Sequence, residues 1–225
     1  MAISVLDTAY GRMLLPDTDN SQFTWLQMTG TACEDADIRL VRDILGERAQ
    51  GTIIDAGASF GTWSLALASH AERVLAFEPQ LEIFGLLQGT LALNRLSRKA
   101  AAYNCALWSK CWGFDIESLD LDQPNNFGGL SLIGSSGADH VEAYPLRDFV
   151  GADEPVSFIK IDVEGAEYEV LLGALEILAR CRPVMFVESD HPLTDKARLS
   201  LQIEAMGYAI EQRGPNFLCL PLGIA

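Results

Sequence analysis

Short runs of apolar residues alternate along the chain with stretches in which apolar positions recur every three or four residues. Ile53-Ile54, Val74-Leu75-Ala76-Phe77, Ala100 to Leu107, Phe158-Ile159-Lys160-Ile161 and Val184-Met185-Phe186-Val187 read as strands covered on both faces. Helical spacing predicts a helix over 34–45, with Glu34, Asp35 and Asp37 in its first turn, Ile38, Val41 and Leu45 on its apolar stripe and Gly46 as its stop. Further helices are expected over 62–71, over 81–96 with Phe84, Leu87 and Leu91 in line, and from near Glu167 with Val170, Leu171, Ala174 and Leu178 facing inward. Thr194 is the expected cap of a last helix bearing Leu199, Ile203 and Met206 and ended by Gly207. Tyr208 to Arg213 and Asn216 to Pro221 read as a hairpin about Gly214-Pro215. Strand–helix alternation closing on a hairpin implies a doubly wound α/β sandwich, with helices on both faces and one reversed strand.

Two stretches depart from this rhythm. Residues 1–30 hold short apolar pieces, among them Met13-Leu14-Leu15-Pro16 and Phe23-Thr24-Trp25-Leu26, and read as a hairpin or cap. Residues 108–145 carry Trp108, Trp112, Phe114 and the run Asn125-Asn126-Phe127-Gly128-Gly129, and read as an inserted lid, binding loop or small added sheet, serving either as a substrate wall or as a structural flap. The expected organisation is therefore a cap and helix over 1–48 and one α/β domain over 49–225 with the insertion at 108–145.

At 225 residues and almost half hydrophobic, the chain has ample material for one large core. Lys plus Arg number 16 against 31 Asp plus Glu, a net charge of −15 that disfavours broad electrostatic binding to nucleic acid or anionic membrane. The chain opens on no basic and apolar leader, and no apolar run approaches a bilayer span, so a soluble, cytoplasmic protein is expected. Five cysteines without C-x-x-C spacing argue for reduced thiols rather than a zinc knuckle or disulfide framework.

The candidate chemistry collects where strands end. Asp55-Ala56-Gly57-Ala58-Ser59-Phe60-Gly61 is an acid, a tight glycine turn and a helix start. Gly57 is suited to a positive φ and Gly61 to close approach of the helix, so that a ligand can lie against backbone N–H groups. The dinucleotide pattern G-x-G-x-x-G fails, because Ser59 and Thr62 stand where glycine is required. D-x-G-x-x-x-G instead suits a nucleoside with an amino-acid tail, as in S-adenosylmethionine. Glu78, about 20 residues beyond that loop at the end of the second strand, offers two acceptor oxygens to two ribose hydroxyls. Asn104-Cys105-Ala106-Leu107 would meet the base. Asp162, Glu164 and Glu167 crowd one strand end, where they would bind a cation, hold an amine or accept a proton, although Glu167 also suits a helix start. His191 follows the next strand and is a candidate proton acceptor.

These residues resemble the FkbM-type family of S-adenosylmethionine-dependent methyltransferases. The resemblance runs from about residue 10 to the C-terminus. It rests on Ile54 to Gly61, Ala76-Phe77-Glu78-Pro79, Asn104 to Leu107 and, most specifically, Ile159-Lys160-Ile161-Asp162-Val163-Glu164-Gly165-Ala166-Glu167. It implies a Rossmann-like seven-stranded sheet of order 3-2-1-4-5-7-6 with strand 7 antiparallel, and methyl transfer chiefly to hydroxyl oxygens of sugars and other small molecules. Asp55, Gly57, Ala58, Ser59 and Gly61 would hold the methionine part, Glu78 and Pro79 the ribose, Asn104 and Ala106 the adenine, and Asp162 would sit beside the sulfonium. His191, Glu164 or Asp162 would take the acceptor's proton. A metal-free route is preferred to one in which the carboxylates hold Mg²⁺ or Ca²⁺. Trp63 stands where the family favours smaller or aliphatic residues. A nicotinamide oxidoreductase and a non-catalytic binding domain are the rival readings of the same fold.

Overall fold

The structure is a computed structural model and describes residues 2–46 and 51–223. The expected boundary between residues 48 and 49 lies outside the described residues. The chain begins with a hairpin of β1 (Ile3–Thr8) and β2 (Gly11–Pro16), followed by helices α1 (Gln22–Thr29) and α2 (Asp35–Leu45). Then come β3 (Thr52–Ala56), α3 (Thr62–Leu67), β4 (Arg73–Phe77), α4 (Leu81–Leu93) and β5 (Ala100–Tyr103). A small sheet interrupts the alternation with β6 (Ala106–Leu107), β7 (Trp112–Ile116) and β8 (Asp139–Tyr144). The rhythm resumes with β9 (Val156–Ile161), α5 (Glu167–Gly173), α6 (Leu175–Cys181), β10 (Val184–Glu188), α7 (Lys196–Ala205), β11 (Tyr208–Arg213) and β12 (Asn216–Pro221).

Seven of these strands form one sheet in the order β11-β12-β10-β9-β3-β4-β5. From β10 to β5 the neighbours pair parallel, whereas β12 runs antiparallel to both β10 and β11. Side chains alternate across a strand, so each central strand feeds two cores. Ile53, Val74, Phe158 and Phe186 meet the face covered by Ile38 and Val41 of α2, Leu65 of α3 and Leu87 of α4. Ile54, Leu75, Ile159 and Val187 meet the face covered by Val170 of α5, Leu178 of α6 and Ile203 of α7. The near-continuous apolar runs are thus the consequence of burial on both sides.

Several boundaries differ from the sequence expectation, each for a local reason. The strand expected over 100–107 breaks at Asn104, whose amide donates to the carbonyls of Glu78 and Pro79, and β6 leaves to pair with β8. The helix expected from Glu167 onward is two helices, α5 and α6. The helix over 81–96 stops at Leu93, where Asn94 turns its amide to Thr90 O and Arg95 takes a φ of +59°. Asp195, not Thr194, caps α7 by accepting from the Arg198 N–H, and Thr194 donates instead to Glu167. Residues 22–29 form a helix within the segment read as hairpin or cap. The five cysteines are free thiols. No helix among the described residues is long and apolar enough to cross a membrane.

Candidate functional site

The carboxyl ends of β3, β4, β9 and β10 bring Asp55, Glu78, Asp162 and Glu188 to one edge of the sheet, the place where open α/β sheets bind ligands. The turn after β3 fits closely against β9. Gly57 has a φ of +78°, and a Cβ there would stand 1.8 Å from the Asp162 carbonyl oxygen. Ser59 adopts a φ of +47° without being glycine, a strained conformation of the kind found at functional loops. The loop's N–H groups, expected to face a ligand, are largely engaged within the protein. Those of Gly57 and Ala58 donate to Phe77 O at 3.0 and 2.9 Å, and that of Gly61 to Ala58 O at 2.8 Å. A ligand at this loop therefore meets its outer edge and the Ser59 side chain.

Glu78 is 4% exposed, and each of its oxygens receives a backbone N–H, Oε2 from Ser59 at 3.0 Å and Oε1 from Gln80 at 2.9 Å. Burial pushes its carboxyl up to about 7 despite these two donors. Glu78 and Pro79 line a narrow cleft of about 40 Å³ with Phe77, Ala106 and Leu107 on one side and Gly128, Leu130 and Leu132 on the other. Asn104 is not among the residues lining this cleft, and its amide clamps the Glu78–Pro79 backbone, whereas Cys105, Ala106 and Leu107 of the same stretch do line it. The outer wall comes from the 108–145 insertion and is tied to Gln80, whose Nε2 donates to Phe127 O at 2.8 Å.

Asp162, Glu164, Gly57 and Ser59 are shared between this cleft and an adjoining cavity of about 510 Å³. Helix α1 covers the cavity, and Gln22 reaches the glycine loop: its Nε2 donates to Ser59 Oγ and its Oε1 accepts from Thr62 Oγ1, both at 3.2 Å. Lys160 lies fully within the cavity wall, 2% exposed, with Nζ 2.7 Å from Asp162 Oδ2 and 3.8 Å from Glu34 Oε1. Burial alone would lower its pKa, but Asp162 and Glu34 more than offset this and hold it well above the usual lysine value. Trp63, the departure noted in the sequence, stacks against Phe158 and Phe186 and donates its indole N–H to Glu34 Oε2 at 2.9 Å. Asp55 accepts from Ser64 Oγ at 2.6 Å, and burial raises it to about 6.

Glu164 has a φ of +54° and is raised to about 7, first by burial and then by Asp162 and Glu167. Glu188 rises to about 9 by burial and by the Asp162 carboxylate, and its Oε2 is sealed from solvent without a hydrogen-bond partner. Asp162, Glu164 and Glu188 each bring one oxygen within 4.8 Å of the others, a spacing that suits a divalent cation or a positively charged ligand group. His191 does not line the cavity. Its Nδ1 accepts from the Leu193 N–H at 3.2 Å and its Nε2 lies 3.5 Å from Glu164 Oε2. Glu167 is fully buried, accepting from Gly165 N and Thr194 Oγ1, a structural role at the start of α5. Gln22, Glu34, Gln80 and Glu188 were not singled out from sequence as site residues; only the position of Glu188 at a strand end pointed towards it.

The profile of the Methyltransferase FkbM domain matches residues 55–210, well over half of the chain. The Methyltransferase sdnD of Sordaria araneosa is 27% identical over 194 residues, which cover 70% of this chain and 73% of that protein. Methyltransferase 1 of Beauveria bassiana is 25% identical over 190 residues, covering 73% of this chain and 75% of that protein. Among solved structures, the FkbM methyltransferase of Methylobacillus flagellatus KT superposes with a TM-score of 0.56 at 20% identity, over 75% of this chain and 43% of that chain. The chain thus spans less than half the length of that solved relative. A Streptococcus mutans protein solved in complex with SAH superposes with a TM-score of 0.50 at 13% identity, over 81% of this chain and 94% of that one.

Proposed function

The chain belongs to the FkbM family of methyltransferases, and on that premise we propose that it uses S-adenosylmethionine to methylate a hydroxyl oxygen of a sugar or other small natural product. The observation that carries the cofactor assignment is Glu78, a buried carboxylate in the cleft whose two oxygens are fixed by backbone N–H groups and retain lone pairs for two hydroxyls. A sealed, unpartnered amide oxygen on Gln80 fits the same ligand. The bound SAH in the Streptococcus mutans structure supports this reading at the level of fold.

When bound, S-adenosylmethionine would supply an electrophilic methyl group to the acceptor oxygen, with its sulfur as the leaving group. Asp162, paired with Lys160, sits where cleft and cavity join and offers negative charge to a sulfonium. Glu164, with a pKa of about 7, is poised to take the hydroxyl proton near neutral pH, and His191 holds it in place. The cap over 1–48 and the insertion over 108–145 would enclose the acceptor, with α1 above the cavity and the 128–132 stretch across the cleft. The cavity is lined by Glu34, Asp55, Asp162, Glu164 and Glu188 against Lys160 alone among the described residues, so it favours neutral or cationic acceptors and repels phosphorylated ones.

The test is label transfer from S-adenosylmethionine to a panel of hydroxylated metabolites that pairs each neutral or amine-bearing sugar with its phosphate ester. The expected result is an oxygen-methylated product from a non-phosphorylated member. Transfer only to phosphorylated acceptors, or to carbon or nitrogen alone, would contradict the reading.

A further inference from the structure

Gln80 is 5% exposed, yet only half of its amide is used inside the protein. The Nε2 donates to Phe127 O at 2.8 Å, whereas Oε1 is sealed from solvent and has no hydrogen-bond partner. The Phe127 carbonyl fixes the amide orientation, because a flipped amide would set two acceptors against each other. Oε1 is therefore an acceptor awaiting a donor, and a buried acceptor without one costs stability. Gln80 lines the cleft, and its backbone N–H donates to Glu78 Oε1, so side chain and ribose clamp are linked at adjacent turns of the chain.

At about 40 Å³ the cleft lies far below the roughly 300–1,000 Å³ of ordinary ligand pockets. A nucleoside enters only if the wall at Gly128, Leu130 and Leu132 draws back, and that wall hangs from Gln80 through Phe127. Gly128 also lines the acceptor cavity.

Resting on the methyltransferase reading, we propose that Gln80 reads the adenosine half of the cofactor and transmits its presence to the wall of the acceptor cavity. Its Oε1 accepts a hydrogen bond from a donor on adenosine, a ribose hydroxyl or the adenine 6-amino group, while Nε2 keeps its hold on Phe127. The carboxylate of Glu78 cannot supply this discrimination for the base, and no other sealed, unpartnered side-chain oxygen lines the cleft among the described residues.

The experiment is calorimetric titration of the full chain and of Gln80→Met, which keeps length without the acceptor, with four ligands. These are S-adenosylhomocysteine, S-inosylhomocysteine, in which an oxo group replaces the 6-amino group, and the 2′-deoxy and 3′-deoxy forms of S-adenosylhomocysteine. Losing one hydrogen bond to a neutral buried acceptor predicts about ten-fold weaker S-adenosylhomocysteine binding by Gln80→Met. The analogue lacking the partnered donor should bind both proteins alike, which identifies the donor. Gln80→Glu, which keeps an acceptor oxygen and loses the donor to Phe127, should retain the discrimination among analogues and so covers poor folding of the first variant. Equal binding of S-adenosylhomocysteine by the native and folded Gln80→Met proteins would overturn the proposal. So would a penalty of the same size for all four ligands, the mark of a merely structural role. If the native chain fails to bind S-adenosylhomocysteine at all, it is the methyltransferase reading that falls, and the inference falls with it.

Discussion

Glu78 and Glu164 are both carboxylates raised to about 7 by burial, yet their surroundings assign them different work. Glu78 is held by two backbone donors at the end of β4, so it is rigid and suited to binding. Replacing it by Ala removes two charge-assisted acceptor interactions, and about a 100-fold loss of S-adenosylhomocysteine affinity is expected by calorimetry. Glu164 lines the larger cavity and accepts no backbone donor among the described residues, so it is suited to proton transfer. Glu164→Gln should lower kcat by roughly 100-fold or more with cofactor binding retained. The base works when deprotonated, so activity of the native protein should rise with pH through about 7, and that limb should vanish in the variant. Unchanged kcat in Glu164→Gln would remove it from the mechanism. Glu78 and Asp162 were legible in the sequence because each follows directly on an apolar strand run, and Glu164 because it belongs to the same carboxylate cluster as Asp162. Lys160 and Glu34 were not, and Trp63 stood out only as a departure from the family pattern, because their roles depend on one another across the chain; the Glu34 carboxylate also lies 3.5 Å from the Asn216 amide.

At the scale of elements, α1 and the 108–145 insertion act as one cover. Asp19, 1% exposed, accepts from the N–H groups of Ser21, Phe23 and Phe127, and Asn20 N donates to Asn125 O. Asp19→Ala should destabilise the protein by about 2–4 kcal/mol in urea unfolding and loosen both segments. Hydrogen exchange in residues 126–132 should slow when S-adenosylhomocysteine binds, since Gly128, Leu130 and Leu132 of this stretch wall the cleft; faster or unchanged exchange would sever them from the cofactor. The eight residues of α1 bury only Phe23 and Leu26, too short a stripe to announce a helix from periodicity. The break between β5 and β6 was equally hidden, because it depends on the Asn104 amide finding carbonyls on another strand.

For the molecule as a whole, the main sheet was legible from its apolar runs, since strands buried on both faces leave an unmistakable pattern. The small sheet of β6, β7 and β8 was legible only as one option for the insertion, because β7 buries Ile116 alone and leaves its other residues exposed or half-buried. The buried acids impose a further global property. Asp55, Glu78, Glu164 and Glu188 are raised to about 6, 7, 7 and 9, so the folded state binds more protons than the unfolded chain between its ordinary carboxyl range and these values. Their contribution is full at acid pH and lost as pH rises through each folded value, so the urea midpoint without ligand should fall between about pH 5 and pH 9. A midpoint that climbs over this interval would contradict the burial of these groups. Cofactor binding through Glu78 is tested most directly by calorimetric titration of the protein with S-adenosylhomocysteine, with NAD and a Glu78→Ala protein as controls. Micromolar binding of the first, none of NAD, and marked weakening in the variant are expected. Failure of a folded sample to bind S-adenosylhomocysteine, or binding indifferent to Glu78, would contradict this reading.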